Sequence, residues 1–336
     1  MSADESHVTM MYDPYIVPFR AERPACRSVS GYQTRTRIGV GSFGEVWSAV
    51  HLRSGALVAI KFEIAKESEP SAGRQALPYE HAIYRMLRGG IGIPRVHWFG
   101  REEMTNIMVL DVLGPTLEEL RFFCRGRLTL KTVLMLADQL ISIIEFIHSR
   151  GIVIRDVKPE NMAMGLKRSS HIVHIFDFGM ARSYKTATGE HIPFQDDLRP
   201  IGAPRYINQA SFLGHELGRK DDLESLGFVL VWLYTGSLPW KGAKAQSIPA
   251  KLQLIGEMKA TERLPDICKD CPDEFLTYLQ YCRGLGFADK PDYDMLRGLF
   301  RGIMERESWK YDSVFDWCPD SDSPAGTLMP DRFVFF

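Results

Sequence analysis

Ile154-Arg155-Asp156-Val157-Lys158-Pro159-Glu160-Asn161 decides the reading of this chain. It follows an apolar run, Thr129 to Arg150, whose hydrophobic residues point all round and so predict a buried helix. An aspartate in the loop after such a helix, with an asparagine five residues on, suits a site where one group orients a hydroxyl and the other holds Mg²⁺. Downstream stands Asp177-Phe178-Gly179, whose carboxylate would chelate the same metal. Upstream, Val58-Ala59-Ile60-Lys61 reads as a strand ending in a lysine placed to meet phosphate oxygens, with Glu80 in the next helix as its carboxylate partner. Before it lies Gly39-Val40-Gly41-Ser42-Phe43-Gly44-Glu45-Val46, where glycines let backbone N–H groups approach phosphate closely. This loop joins two strands and opens no helix, which argues against a dinucleotide-binding turn.

The surrounding pattern divides the chain. Residues 1–33, with Pro14, Pro18 and Pro24, read as an extension. From Thr34, short alternating runs predict strands ending near Gly39 and spanning Glu45–Leu52 and Ala56–Phe62; Glu63–Pro78 reads as a polar loop. A helix over Tyr79–Arg88 and strand character over Ile91–Asp111 complete a small β-rich lobe, 34–113. A larger, mainly helical lobe, 114–318, follows, with helices expected at Thr129–Arg150, Asp221–Tyr234, Pro249–Lys259, Asp273–Leu285 and Asp292–Met304. A short tail, 319–336, ends in the apolar Arg332-Phe333-Val334-Phe335-Phe336, expected to pack on the domain, with docking to a membrane surface through Phe333–Phe336 as the alternative. The fold class is α+β and bilobal.

Composition limits the alternatives. In 336 residues, 45% are hydrophobic and 25% charged, enough for a sizeable core. The net charge of −1 gives no field that would draw in nucleic acid, so attraction for phosphate must be local. Six scattered cysteines form no disulfide framework, and Cys268-x-x-Cys271 lacks the second pair of a zinc site. Met1–Met11 has no apolar core of a secretion signal, and Phe228–Tyr234 is too short to span a membrane. A reducing compartment, the cytoplasm or the nucleus, and a monomer are the expectations.

With the motifs placed, the chain resembles the casein kinase I family of serine/threonine protein kinases over residues 34–318. The stretches that carry the resemblance are LGPTLEEL (Leu113–Leu120), KTVLMLADQLISIIEFIHSRG (Lys131–Gly151), His191-Ile192-Pro193, RKDDLESLGFVL (Arg219–Leu230), GSLPW (Gly236–Trp240), FADKPDY (Phe287–Tyr293) and YDSVFDW (Tyr311–Trp317). Where many kinases carry Ala-Pro-Glu, this chain has Arg205-Tyr206-Ile207-Asn208. The resemblance implies the bilobal kinase fold, with MgATP as phosphoryl donor and protein serine or threonine as acceptor. It makes Asp156 the group that meets the acceptor hydroxyl, with Lys158 steadying the γ-phosphoryl. Asn161 and Asp177 become metal ligands, and Lys61 with Glu80 the phosphate clamp. Gly39, Gly41, Ser42, Gly44, Val46, Ala59, Lys61, Leu110, Asp111 and Leu113 would line the nucleotide site, Leu110 at the gatekeeper position. It further implies a taste for acidic or phosphorylated substrates, read by Arg205, Lys251 and the backbone at Gly242, with Leu198 at a third, usually basic, position and Arg199 beside it.

The chain departs from that pattern at Ile154, where relatives place histidine. Isoleucine fills the volume but donates no hydrogen bond, so a modest loss of stability with retained activity is expected. The departure keeps open a decayed, nucleotide-binding scaffold as the rival reading. The 61–80 connection is longer than usual, and Ala245-Gln246-Ser247-Ile248-Pro249-Ala250 replaces a basic run that follows GSLPW in relatives.

Overall fold

The computed structural model describes residues 27–41, 44–64 and 76–318. Ser42, most of the 61–80 connection, the first 26 residues and the tail lie outside them.

The first lobe is an antiparallel sheet built from β1 (Ser28–Val29), β2 (Tyr32–Gly41), β3 (Gly44–His51), β4 (Leu57–Ile64), β5 (Val96–Glu102) and β6 (Thr105–Asp111), in the order β1-β2-β3-β4-β6-β5. Pairing of Ser28 with Gln33 starts the sheet before the boundary expected at residue 34. Register then sorts the side chains, because alternate residues of a strand face opposite ways. Val46 pairs with Lys61, Ala59 with Leu110, and Lys61 with Met108, so one face carries the residues expected to meet a nucleotide. The other face carries Ala49, Val58, Ile60, Phe62, Ile107 and Val109, packed into their own small core. A one-residue slip would exchange the two faces. Gly44 fixes the turn of the β2–β3 hairpin: a Cβ there would lie 1.7 Å from the Phe62 carbonyl oxygen, so glycine is required by the neighbouring strand itself.

α1 (Ala76–Met86) packs against this sheet through Leu77, Glu80, Ile83 and Tyr84, a 3–4 residue repeat that puts Glu80 on the buried face. It begins inside the stretch expected as loop, because Glu63 supplies its cap from β4. The Glu63 carboxylate accepts the backbone N–H groups of Ala76 (2.9 Å) and Leu77 (3.1 Å), which the first helical turn leaves unpaired.

The second lobe holds α2 (Leu117–Phe123), α3 (Leu130–Ser149), α4 (Gln209–Phe212), α5 (Arg219–Thr235), α6 (Ile248–Thr261), α7 (Leu264–Ile267), α8 (Asp273–Gly284) and α9 (Tyr293–Arg306). α3 runs through its centre, with Leu134, Leu136, Leu140, Ile144 and Ile147 fully buried. Its N-terminus is tied to the far end of the chain: the Asp316 carboxylate accepts from Thr129 N (2.6 Å) and from Thr132 Oγ1 (2.8 Å), while Phe315 and Trp317 stack beside it. That is the physical content of the YDSVFDW stretch. Short strand pairs then frame the two motif loops. β7 (Ile152–Val153) pairs with β10 (Arg182–Ser183), and β8 (Met162–Met164) with β9 (Val173–Ile175). Residues 154–161 are therefore held between β7 and β8, and 176–181 between β9 and β10.

Cys268 is buried and Cys271 half-buried, both as free thiols. Burial pushes them up to about 11 and about 12, so both stand as protonated thiols at neutral pH. Among the described residues no helix is long and apolar enough to cross a membrane.

Candidate active site

A cleft of about 360 Å³ opens between the lobes, lined from above by Gly39, Val46, Ala59 and Lys61, and from below by Asp156, Lys158, Asn161 and Asp177. Leu110, Asp111 and Leu113 close its rear along the connection between lobes. Residues far apart in sequence thus meet in one place. Ser42 lies outside the described residues.

The roof is organised by charge. Lys61 Nζ donates to Glu80 Oε2 at 2.7 Å and to Asp177 Oδ1 at 3.1 Å, joining sheet, α1 and the 176–181 loop. Burial alone would lower the Lys61 amine, but these two carboxylates outweigh it and hold it above the ordinary lysine range. Burial would likewise raise Asp177, and the Lys61 ammonium reverses that and holds its carboxyl below the usual range. Glu80 is 2% exposed, so its charge is bearable only because Lys61 sits against it.

The floor is organised by hydrogen bonds around Asp156, itself 5% exposed. Its Oδ2 accepts from Lys158 Nζ at 2.6 Å and from Asn161 Nδ2 at 3.1 Å; its Oδ1 accepts from Ala203 N at 3.0 Å. The loop's backbone is under strain. Arg155 (φ 66°) and Asp177 (φ 61°) are left-handed, a conformation that costs a non-glycine residue about 1–2 kcal/mol. Specific contacts impose it. Asp222, at the start of α5, accepts the N–H of Ile154 on Oδ2 (2.7 Å) and that of Arg155 on Oδ1 (2.8 Å). His148 Nε2 lies 2.9 Å from the same Oδ2, and its Nδ1 lies 2.7 Å from the Tyr293 hydroxyl. The Tyr84 hydroxyl accepts from Asp177 N at 3.3 Å, with its ring edge-on to Phe178. Arg155 reaches forward, its Nε donating to Met180 O at 2.8 Å, while its NH1 lies 3.8 Å from Glu216, which also pairs with Arg182.

Ile154 itself is 1% exposed and packs in the main core. The loop is held through the backbone at this position, so the missing imidazole leaves those anchors intact.

The residues expected to read a substrate anion are less tightly gathered. The Arg205 guanidinium is half-buried and lies 4.5 Å over the Trp232 ring, its NH1 3.4 Å from the Tyr206 hydroxyl. Gly242 (φ 80°) and Lys251 stand exposed, on the turn after Trp240 and on α6. Leu198 makes a backbone bond to Gly214, and Arg199 is exposed. Arg121 and Lys241 share the Trp232 ring with Arg205, at 4.3 and 5.0 Å. The sequence pattern did not single out those two.

It also passed over Asp222, His148, Tyr84 and Glu63. Asp222 lies within RKDDLESLGFVL, but nothing local sets it apart from Asp221 beside it. Tyr84 and Glu63 had no signal, because nothing local distinguishes them from packing residues.

Fold and cleft define a two-lobed phosphotransferase. The protein kinase domain family model matches residues 32–283. The chain belongs to the protein kinase family, which uses ATP and a divalent metal ion and acts on proteins.

Proposed function

We propose that this protein is a serine/threonine kinase of the casein kinase I type, using MgATP and favouring acidic or already phosphorylated acceptors. The observation that carries the reading is the convergence of the Lys61–Glu80–Asp177 ion triad and the Asp156–Lys158–Asn161 cluster on the two sides of one cleft.

In this reading the Asp156 carboxylate receives the acceptor hydroxyl, its orientation fixed by Ala203 N on Oδ1 and by Lys158 and Asn161 on Oδ2. Lys158, now 2.6 Å from Asp156, steadies charge as it spreads over the transferred phosphoryl. Lys61 positions the α- and β-phosphates from the roof. The donor set also suits magnesium: Asn161 spends its Nδ2 on Asp156, leaving an amide oxygen, and Asp177 adds a carboxylate, both hard oxygen ligands. Bound there, the metal would neutralise charge between the phosphates. Glycines 39, 41 and 44 bring the hairpin backbone over that position, and adenine would rest against Leu110–Leu113.

Several features support the finer assignment. LGPTLEEL, RKDDLESLGFVL and YDSVFDW each have a defined structural task here, namely a capping box at Thr116 and Glu119, the Asp222 anchor and the Asp316 cap. Half-buried Arg205, with Lys241 near the same ring, offers cationic groups at the end of the segment following Ala203, while Arg121 beside them is paired with Glu118. The domain limits expected at 34–113 and 114–318 are proposed with the first extended to take in β1 from Ser28.

The test is transfer from labelled ATP to dephosphorylated casein and to a primed acidic peptide, followed by identification of the phosphorylated residue. Label on serine or threonine, absent in Asp156→Ala and stronger on the primed peptide, is the expected result. Label on tyrosine, or ATP binding without transfer, would refute it.

A further inference from the structure

Lys259 lies on α6, outside the cleft, yet is only 1% exposed. Its Nζ donates to the carbonyl oxygens of Ile207 (2.5 Å) and Arg205 (3.1 Å). Three rings surround it: Trp240 at 4.3 Å, Phe228 at 5.1 Å and Phe212 at 5.5 Å. Burial holds its amine well below the ordinary lysine range. A methionine would fill this volume without the desolvation cost of a buried amine. The amine therefore calls for a task that packing does not supply.

The task is visible in what the two carbonyls belong to. They lie in the segment 202–208, whose other end touches the chemistry through Ala203 N on Asp156 Oδ1 at 3.0 Å. Gly202 (φ 100°) presses against the catalytic loop so closely that a Cβ would lie 2.7 Å from Arg155 O. At the far end Asn208 caps α4 through Ser211 N and is held by Asp221. Between those ends the segment belongs to no helix or strand. Its carbonyls are fixed from beneath, by Lys259 at Arg205 and Ile207, and by Trp240 Nε1 at Arg205 (2.8 Å). A donor with two acceptors two residues apart sets both the course of this backbone and the direction in which the Arg205 side chain leaves it.

We propose that Lys259 is a positioning residue for the protein substrate, holding the 203–207 backbone as the platform on which the acceptor chain docks beside Asp156. The inference rests on the reading of Asp156 as the group that meets the acceptor hydroxyl. Lys259 touches neither nucleotide-lining residues nor Asp156; it reaches the cleft only through the 203–207 backbone, and Asp156 keeps its bonds from Lys158 and Asn161 without it. Binding of ATP and its slow hydrolysis by water need no such platform.

The experiment compares wild type, Lys259→Met and Lys259→Ala in three measurements: kcat/KM for a serine peptide, KM for ATP, and ATP hydrolysis without peptide. Misplacement by about 1 Å costs roughly a hundredfold in rate. The expected result is a tenfold to hundredfold loss of peptide kcat/KM at about that scale, with ATP KM and hydrolysis within about twofold. Propylamine, which restores the amine and its stem, should recover part of the peptide activity in Lys259→Ala. Equal loss of peptide transfer and hydrolysis, or unchanged peptide kcat/KM, would overturn the proposal. Should both variants fail to fold, Trp240→Phe removes the second donor to the Arg205 carbonyl and should give a smaller loss with the same selectivity. A uniform loss there overturns the proposal equally. Wild type that phosphorylates no peptide overturns the parent reading, and is told apart because it fails before any variant is compared.

Discussion

Replacing Asp222 by asparagine removes one charge from a carboxylate that is 2% exposed and holds the 154–161 loop from behind. Both oxygens are in use: Oδ2 takes Ile154 N and His148 Nε2, and Oδ1 takes Arg155 N. An asparagine keeps one oxygen and sets an NH₂ group against a backbone N–H whichever way it turns. At least one buried donor then faces another donor, and leaving a buried polar group unsatisfied costs about 1–3 kcal/mol. The surviving contacts lose their charge assistance, roughly another 1 kcal/mol. The expected destabilisation is therefore about 2–4 kcal/mol, measured as a shift of urea midpoint at constant slope. That is a large share of a typical 5–15 kcal/mol, so the variant should fold but melt earlier. Activity should fall more than stability explains. Arg155 is left-handed because its N–H is held, and relaxation there displaces Asp156 next to it. At a temperature where the variant is fully folded, kcat should drop at least tenfold with ATP affinity retained. A stability change under 1 kcal/mol, or full activity, would refute the claim that the carboxylate imposes the loop's conformation.

Other outcomes follow from the same contacts. Lys61→Met should abolish transfer and strand Glu80 without its counter-ion; burial already pushes that carboxyl up, so the folded variant should favour the protonated acid. A raised folded-state pKa contributes stability at low pH that is lost as pH rises, so its Tm should fall from pH 5 to pH 8 by more than that of wild type, where Lys61 partly offsets the rise. Ile154→Val should cost about 1 kcal/mol and leave kcat within twofold, since the position contributes packing and a backbone N–H; a large loss of rate would show a chemical role. Glu63→Ala, which uncaps α1, should lower stability by about 1–2 kcal/mol and raise the KM for ATP through Glu80, read by calorimetry and initial rates. Cys268 and Cys271 should resist alkylation at pH 8 in the native state and react in denaturant; fast native labelling would contradict their raised pKa values.

Much of the cleft was legible because its lining comes from short stretches whose spacing survives in the sequence. Asp156 and Asn161 share a loop, Asp177 opens the next, and Lys61 sits on a strand whose alternation can be read directly. α3 was legible to within a residue at each end, since Thr129 caps it and Gly151 (φ 82°) follows its last turn. α2 was passed over although Thr116-x-x-Glu119 is a capping-box pattern, and both of its reciprocal bonds are present. α1 began earlier than its local residues suggested because its cap, Glu63, comes from a different element. The same reason hid Asp222, Tyr84 and Lys259. Their tasks are defined by partners more than fifty residues away in the chain, and no periodicity or spacing encodes a partner at that distance.

The two halves of the cleft also differ in how they tolerate change, and Ile154 shows why. The roof depends on charge: without Lys61, buried Glu80 loses its counter-ion, and without Glu80, Lys61 keeps only the more exposed Asp177. The floor depends on backbone placement. Asp222 grips the N–H groups of residues 154 and 155, which every amino acid except proline supplies, and His148 and Tyr293 brace that carboxylate from α3 and α9. Loss of a side chain at 154 therefore leaves the grip unchanged, provided the replacement fills the core. Isoleucine does so, at 1% exposed. A chain whose catalysis had decayed would be expected to lose charged members of the roof or the Asp156 cluster first, because those are costly to keep buried without use. Here every one is present and paired, and the departure nearest to them, Ile154, falls where the architecture is indifferent to side-chain chemistry. That pattern argues for a working kinase in which position 154 has drifted, and against a scaffold that has abandoned transfer.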